Sequence, residues 1–225
     1  MSQPTVLERL AGVSARIAAS GRNPDEVAIV AVTKGFGLEA CREALAAGLH
    51  MLGENRVQEA LPKMAEIPSA RWNLIGHLQT NKVKQTAGRF TLIQTVDSVR
   101  LAETIARQAP NQAVLVEVNI AREAQKSGVS PDDALELITT VSSLLDLQGL
   151  MGMGPSHGDP TPAFKELRLL HDEAEQRLGK GLPVLSMGMS GDFEAALGAG
   201  STMLRLGQAL FGPRATPGAR RAHFS

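Results

Sequence analysis

Eight short runs rich in apolar and β-branched residues, at 27–34, 51–53, 72–76, 92–96, 114–119, 147–153, 184–189 and 202–206, alternate with helical patterns along the chain. The helical patterns fall near 38–49, 54–65, 78–87, 98–108, 131–144, 162–178 and 191–199, and a last one begins at Gln208. Parallel neighbours cannot be joined by a tight hairpin and need a crossover, so strict alternation argues a parallel sheet with helical connections. The first run, VAIVAVTK, is apolar too continuously for a one-sided antiparallel sheet and reads as a strand buried on both faces. Eight units in 225 residues give about 28 residues per unit, close to the ~250 residues typical of a (β/α)8 barrel. The reading is therefore an α/β fold, a single TIM barrel, with an open doubly wound sheet as the rival.

Residues 5–19 precede the first strand, and there Val6, Leu10, Val13, Ile17 and Ala18 recur near a helical period, so the barrel carries an extra N-terminal helix. No shift of composition and no Pro/Ser-rich linker divides the chain, which predicts one domain over 1–225, with the small basic stretch 213–225 as a loose tail.

Composition narrows the function. Lys plus Arg and Asp plus Glu both count 23, so no net field draws the chain to nucleic acid or to a membrane surface. Its partners are expected to be small molecules or proteins. Cys41 is the only cysteine, which excludes an internal disulfide, suits a reducing compartment and, on an apolar helix face, reads as a small buried hydrophobe. No apolar stretch approaches a membrane span and the opening MSQPTVLERL lacks a secretory pattern, so a cytoplasmic location is expected. There is no tyrosine, which excludes a phenolic acid or base.

In a barrel, chemistry collects at the carboxyl ends of the strands. Lys34 ends the first run, Gly53, Glu54, Asn55 and Arg56 the second, Gly76 and His77 the third and Asp97 the fourth, while Glu117 and Asn119 lie late in the fifth. Each has an ordinary structural alternative, such as Asn55 or Asp97 capping a helix or Glu117 pairing a neighbouring charge. Their convergence on one rim is less ordinary. The strongest local signal is SMGMSGDFEAALGAGSTMLRLGQALFG, residues 186–212, where Ser190 and Gly191 follow a strand and open a helix, and Gly207 and Gln208 repeat the arrangement after the last strand. Free N–H groups there make an anion site, in the two loops where phosphate sites of this fold recur. Arg205 interrupts an apolar strand, so a structural carboxylate such as Glu117 or a ligand heteroatom must accept its hydrogen bonds. Other motifs fail: GMGPSHG at 152–158 misplaces its third glycine for a dinucleotide fingerprint, and no P-loop, HExxH or GxSxG string exists.

With AVTK at the end of the first strand, GENRVQE at 53–59, WNLIGHLQTNK at 72–82, LQGLMGM at 147–153 and the 186–212 segment, the chain resembles the pyridoxal phosphate homeostasis protein family, small relatives of the barrel domain of alanine racemase. The resemblance runs in order from about residue 5 to 212. It implies a barrel that binds pyridoxal 5′-phosphate, with Lys34 as the aldimine lysine. It implies further that Ser190, Gly191, Gly207 and Gln208 hold the phosphate, that Arg205 faces the pyridine nitrogen, that Asn55 and His77 line the pocket around the ring, and that Met151 contributes to its wall. A cation at the pyridine nitrogen disfavours its protonation and makes the ring a poorer electron sink. The chain departs from the family in the GFGLEA turn after Lys34 and in the glycine-rich GPSHGDP loop, both at the pocket mouth.

Two functions follow. The leading one is a pyridoxal phosphate binding protein without turnover, which stores, shields or delivers the cofactor in intracellular homeostasis, as a monomer serving pyridoxal-phosphate-dependent apoenzymes. The alternative is a pyridoxal phosphate enzyme acting on small amino acids, a racemase or deaminase, although the tyrosine of a two-base racemase is missing. A Schiff-base aldolase for a phosphorylated sugar needs only Lys34 and the phosphate loops, and Arg205 inside the site counts against it.

Overall fold

The computed structural model describes residues 3–213. The eight strands are β1 Ala28–Val32, β2 Met51–Glu54, β3 Arg71–Leu74, β4 Leu92–Val96, β5 Ala113–Val118, β6 Asp146–Gly152, β7 Val184–Ser186 and β8 Met203–Leu206. All pair in parallel, each with its sequence neighbour, and β1 closes on β8 with Val30 opposite Arg205. This is the eight-stranded barrel the alternation predicts, and closure rather than an open sheet removes both edges.

The strands are short and doubly buried, which is why they read as continuous apolar runs. Val30, Leu115, Met151 and Met203 fill the barrel interior, while the alternate residues Ala31, Val116, Leu150 and Leu204 pack outward into the layer beneath the helices. That layer is the larger core. Its helices are α2 Leu38–Ala46, α3 Val57–Glu66, α4 Val83–Thr86, α5 Val99–Gln108, α6 Ala134–Leu144, α7 Thr161–Leu178, α8 Phe193–Gly198 and α9 Gln208–Phe211. The additional N-terminal helix α1, Val6–Ala19, buries Val6, Val13 and Ile17. It packs against α9, α2 and α8. A capping box starts it: the Glu8 N–H donates to Thr5 Oγ1 at 3.2 Å and the Thr5 N–H donates to Glu8 Oε2 at 2.7 Å.

Three boundaries differ from expectation. The first strand ends at Val32, not at Lys34, because Lys34 has left the ladder for a turn. The helix expected over 78–87 is a 3-10 turn, Thr80–Lys82, followed by the single turn of α4, after which Gly88 reverses the chain at φ 75°. The last two helices are also brief, with six residues in α8 and four in α9. The stretch read as a loose tail lies outside the described residues from 214 onward.

Candidate functional site

The rim is assembled from strand ends. Lys34 sits two residues past β1 in a turn closed by the Phe36 N–H donating to the Thr33 carbonyl at 3.0 Å. Gly35 fills the third place of this turn with φ 74°, a left-handed value that a side chain resists, so the GFG sequence makes a defined turn. Lys34 is half-buried at its start. Immediately below, the Thr33 hydroxyl donates to Glu54 Oε1 at 2.6 Å. Lys63 of α3 places its Nζ 2.5 Å from the same carboxylate oxygen and 2.9 Å from the Thr33 carbonyl oxygen. Thr33 and Glu54 are fully buried, so this ion pair fastens the ends of β1 and β2 together under Lys34.

Asn55 follows Glu54 and is half-buried, and its Oδ1 is buried without a hydrogen-bond partner. It does not cap α3, whose preceding residue is Arg56; nor does Asp97 cap α5, which Ser98 precedes. The backbone of Asn55 lies hard against Gly76, where a Cβ would come within 2.2 Å of the Asn55 carbonyl oxygen. Only glycine allows the third loop to press on Asn55 in this way. Farther out, His77 Nδ1 is 3.2 Å from Asp97 Oδ2, with the His77 side chain half exposed. His77 lines a groove of about 430 Å³ between the loops after β3 and β4.

Across the barrel from β1, Glu117 of β5 is 2% exposed and its Oε2 has no partner. Burial pushes its carboxyl up to about 7, the Asp97 carboxylate adds to the rise, and the Arg205 cation partly offsets both. Arg205 itself, 4% exposed, is lowered to about 10 by burial, with Glu117 and Asp192 opposing that shift, and so remains a cation at neutral pH. Its hydrogen bonds go elsewhere than expected. NH1 donates to the Ser186 carbonyl at 2.8 Å and to Ser186 Oγ at 2.7 Å, and NH2 donates to the Gly152 carbonyl at 2.9 Å. Of the two acceptors open to Arg205, the structural carboxylate takes none of its hydrogen bonds; two strand-end carbonyls and a hydroxyl take them. Met151, fully buried, is part of the apolar interior beneath these groups.

The loops after β7 and β8 are joined by the Ala209 N–H, which donates to Ser190 Oγ at 3.0 Å. Because that oxygen accepts there, the Ser190 hydroxyl proton is left to donate outward. The N–H groups of Gly191, Gly207 and Gln208 donate to no acceptor among the described residues. A Cβ at Gly191 would meet nothing within 4 Å, and one at Gly207 would meet Val32 only at 3.5 Å or beyond. Packing therefore does not require either glycine; what their missing side chains leave is open space in front of unpaired donors. Since α8 and α9 are so short, this anion site rests on individual N–H groups more than on a helix dipole.

Every residue singled out in the sequence for a ligand role lies at the carboxyl end of the barrel or directly beneath it, with His77 the outlying member. Three residues escaped that reading: Asn73, Gln94 and Ser186, which lead from Arg205 into the barrel. The signal was present, since Asn73 and Gln94 are polar residues interrupting apolar strands, as Arg205 is. The Lys63–Glu54 pair gave no local signal, because Lys63 lies nine residues away on a helix.

The sequence profile of the family described as alanine racemase, N-terminal domain, matches residues 13–215. A pyridoxal phosphate homeostasis protein of Pseudomonas aeruginosa is 42% identical over 226 aligned positions, covering 93% of this chain and 96% of that one. Another, from Aquifex aeolicus, is 39% identical and covers 93% and 95% respectively. The structure of PipY from Synechococcus elongatus with PLP bound superposes with a TM-score of 0.80 at 34% identity, covering 92% of this chain and all of that one. An alanine racemase of Clostridium difficile shares the fold at a TM-score of 0.76 and 14% identity, and this chain spans 58% of its length.

Proposed function

The chain belongs to the alanine racemase N-terminal domain family, among the pyridoxal phosphate homeostasis proteins, and from that premise we propose that it binds pyridoxal 5′-phosphate and stores, shields or delivers it. The observation that carries the proposal is the rim itself: Lys34, the buried Arg205 cation, the unpartnered Asn55 Oδ1 and two loops with unpaired donors all lie at the same end of the barrel.

These residues fit the cofactor. The Gly191, Gly207 and Gln208 N–H groups and the Ser190 hydroxyl would hold a phosphate. Arg205, charged and fixed, would offer a donor to the ring. Asn55 would meet a polar ring substituent, and Met151 supplies an apolar floor. When bound, pyridoxal phosphate supplies an aldehyde that condenses with amines and a ring that can accept electron density. Lys34 would supply the amine, from the turn two residues beyond the buried strand β1. Facing the ring nitrogen, Arg205 would disfavour a proton there and so make the ring a poorer electron sink, which would suit a carrier.

Among the described residues no helix is long and apolar enough to cross a membrane. The proposal places the protein in the cytoplasm as a monomer serving pyridoxal-phosphate-dependent apoenzymes.

The test is the absorption spectrum of the purified protein beside Lys34→Ala. Wild type is expected to carry a visible band, and borohydride followed by peptide mapping should fix the cofactor on Lys34; Lys34→Ala should lose the band. A colourless wild type that takes up no cofactor would sink the proposal. One observation favours a second reading, an enzyme acting on small amino acids: Glu117 is a carboxyl that changes protonation near neutrality at the barrel mouth. Useful α-proton exchange from deuterated water into added amino acids would select that reading.

A further inference from the structure

Arg205 is buried and charged, yet among the described residues no carboxylate forms an ion pair with it. Neutral groups take that place in a column running down the barrel. Ser186 Oγ accepts from Arg205 NH1 at 2.7 Å and donates its own proton to Gln94 Oε1 at 2.7 Å. Gln94 Nε2 donates to Asn73 Oδ1 at 3.0 Å and lies 3.3 Å from Met203 Sδ. Asn73 Nδ2 donates to the Arg71 carbonyl at 3.1 Å. Ser186 and Gln94 are fully buried and Asn73 is 1% exposed.

The direction of this column is fixed from its top. A guanidinium can only donate, so Ser186 Oγ must accept from it and pass its proton to Gln94. That choice sets the Gln94 amide, and the Gln94 amide sets Asn73. Each dipole therefore turns its negative end toward Arg205, and reversing an amide would break a bond. A buried polar network of this kind is costly unless every member is satisfied, and when satisfied it is rigid. Neighbouring interior positions use Val30, Leu115 and Met151, so an apolar filling was open to this barrel.

We propose that Gln94 and Asn73, acting through Ser186, are positioning residues for Arg205, holding its guanidinium in one orientation at the barrel mouth through neutral groups. The inference rests on the reading of Arg205 against the cofactor ring. A positive charge fixed there would lower the proton affinity of the bound cofactor's nitrogens. A carboxylate placed in the column would cancel part of that charge and raise it.

Two variants separate positioning from packing. Gln94→Met removes the acceptor with little change of volume, and Gln94→Glu keeps the acceptor while adding charge. The first readout uses cofactor-free protein: the Nη nitrogen resonances of Arg205, assigned with Arg205→Lys. Wild type and Gln94→Glu should give two resolved resonances, and Gln94→Met one averaged resonance. The second uses loaded protein: the pH midpoint of the cofactor's visible band, expected to rise by about one pH unit in Gln94→Glu. Resolved, wild-type resonances in Gln94→Met would overturn the proposal, as would an unmoved midpoint in Gln94→Glu. Should Gln94→Met fail to fold, Ser186→Ala replaces it with the same expected averaging. A wild type that binds no cofactor would defeat the function proposed above, while the first readout would still decide the role of the column.

Discussion

Glu117 occupies a costly position at the rim. It is a carboxyl 2% exposed, with one oxygen unpartnered and the Asp97 carboxylate close enough to repel it. The fold binds its proton more tightly than the unfolded chain does, so its pKa rises from 4.5 to about 7. The stability consequence has a definite sign. Below pH 4.5 both states are protonated, and as pH rises toward 7 the unfolded chain ionises first, so stability is lost across that window. The loss is on the order of 3 kcal/mol once both states are ionised. Glu117→Gln should therefore be more stable than wild type at pH 8 and similar to it at pH 4, as read by denaturant unfolding at the two values. Equal stabilities at pH 8 would show that Glu117 titrates as an ordinary carboxylate.

Among the elements, the turn after β1 and helix α9 belong to opposite ends of the chain yet meet at the rim. Phe36, in the Lys34 turn, faces Phe211 of α9 with ring centroids 5.0 Å apart and planes at 44°. Tilted aromatic pairs of this kind contribute about 0.5–1.5 kcal/mol beyond the area they bury. Because α9 begins at the Gly207–Gln208 donors, this contact ties the amine of the site to part of its anion loop. Helix α1 supports the same arrangement from outside by packing on α9. Phe211→Ala should lower stability by about 1–3 kcal/mol and weaken cofactor binding by roughly 3- to 10-fold, a step of about 1 kcal/mol. Equilibrium unfolding and cofactor titration measure the two effects, and unchanged affinity would mean that the turn and α9 act independently.

Over the whole molecule, the equal numbers of acidic and basic residues leave no large net charge to set the pH dependence of stability, so individual groups decide it. Burial lowers the pKa of His171, whose Nε2 is 2.8 Å from the Leu182 carbonyl oxygen. A base whose pKa is depressed by folding stabilises the fold above its unfolded value of 6.5 and costs stability as pH falls below it. The Glu123 carboxylate, lowered to about 2 by hydrogen bonds from the Ser156 N–H and hydroxyl, loses its contribution as pH falls through 4.5 toward 2. Glu117 opposes the His171 effect between pH 7 and 4.5. The thermal midpoint of wild type is accordingly expected to fall less between pH 7 and 4.5 than that of Glu117→Gln, and both should fall further below pH 4.5. Parallel curves for the two proteins in thermal scans across pH 3–8 would overturn this assignment.

What was legible in the sequence was periodic or local. Continuous apolar runs alternating with helical faces determined a parallel sheet with helical crossovers, since each strand is buried on both sides and each crossover on one; closure of β1 on β8 chose the barrel over the open sheet. Lys34 at a strand end, Arg205 inside a strand and glycines before the last two helices marked the site for the same reason: each breaks a pattern that packing alone would keep. Tertiary structure decided who bonds to whom. Gln94 and Ser186 are separated by 92 residues and Arg205 and Gly152 by 53, and no local spacing encodes which strand ends face each other across a closed barrel. Of the two acceptors open to Arg205 in the sequence, a structural carboxylate such as Glu117 or a ligand heteroatom, the carboxylate forms no hydrogen bond to it; carbonyls and a hydroxyl do, because hydrogen-bond geometry is settled by strand register and stagger. These are properties of the closed sheet and of no single segment.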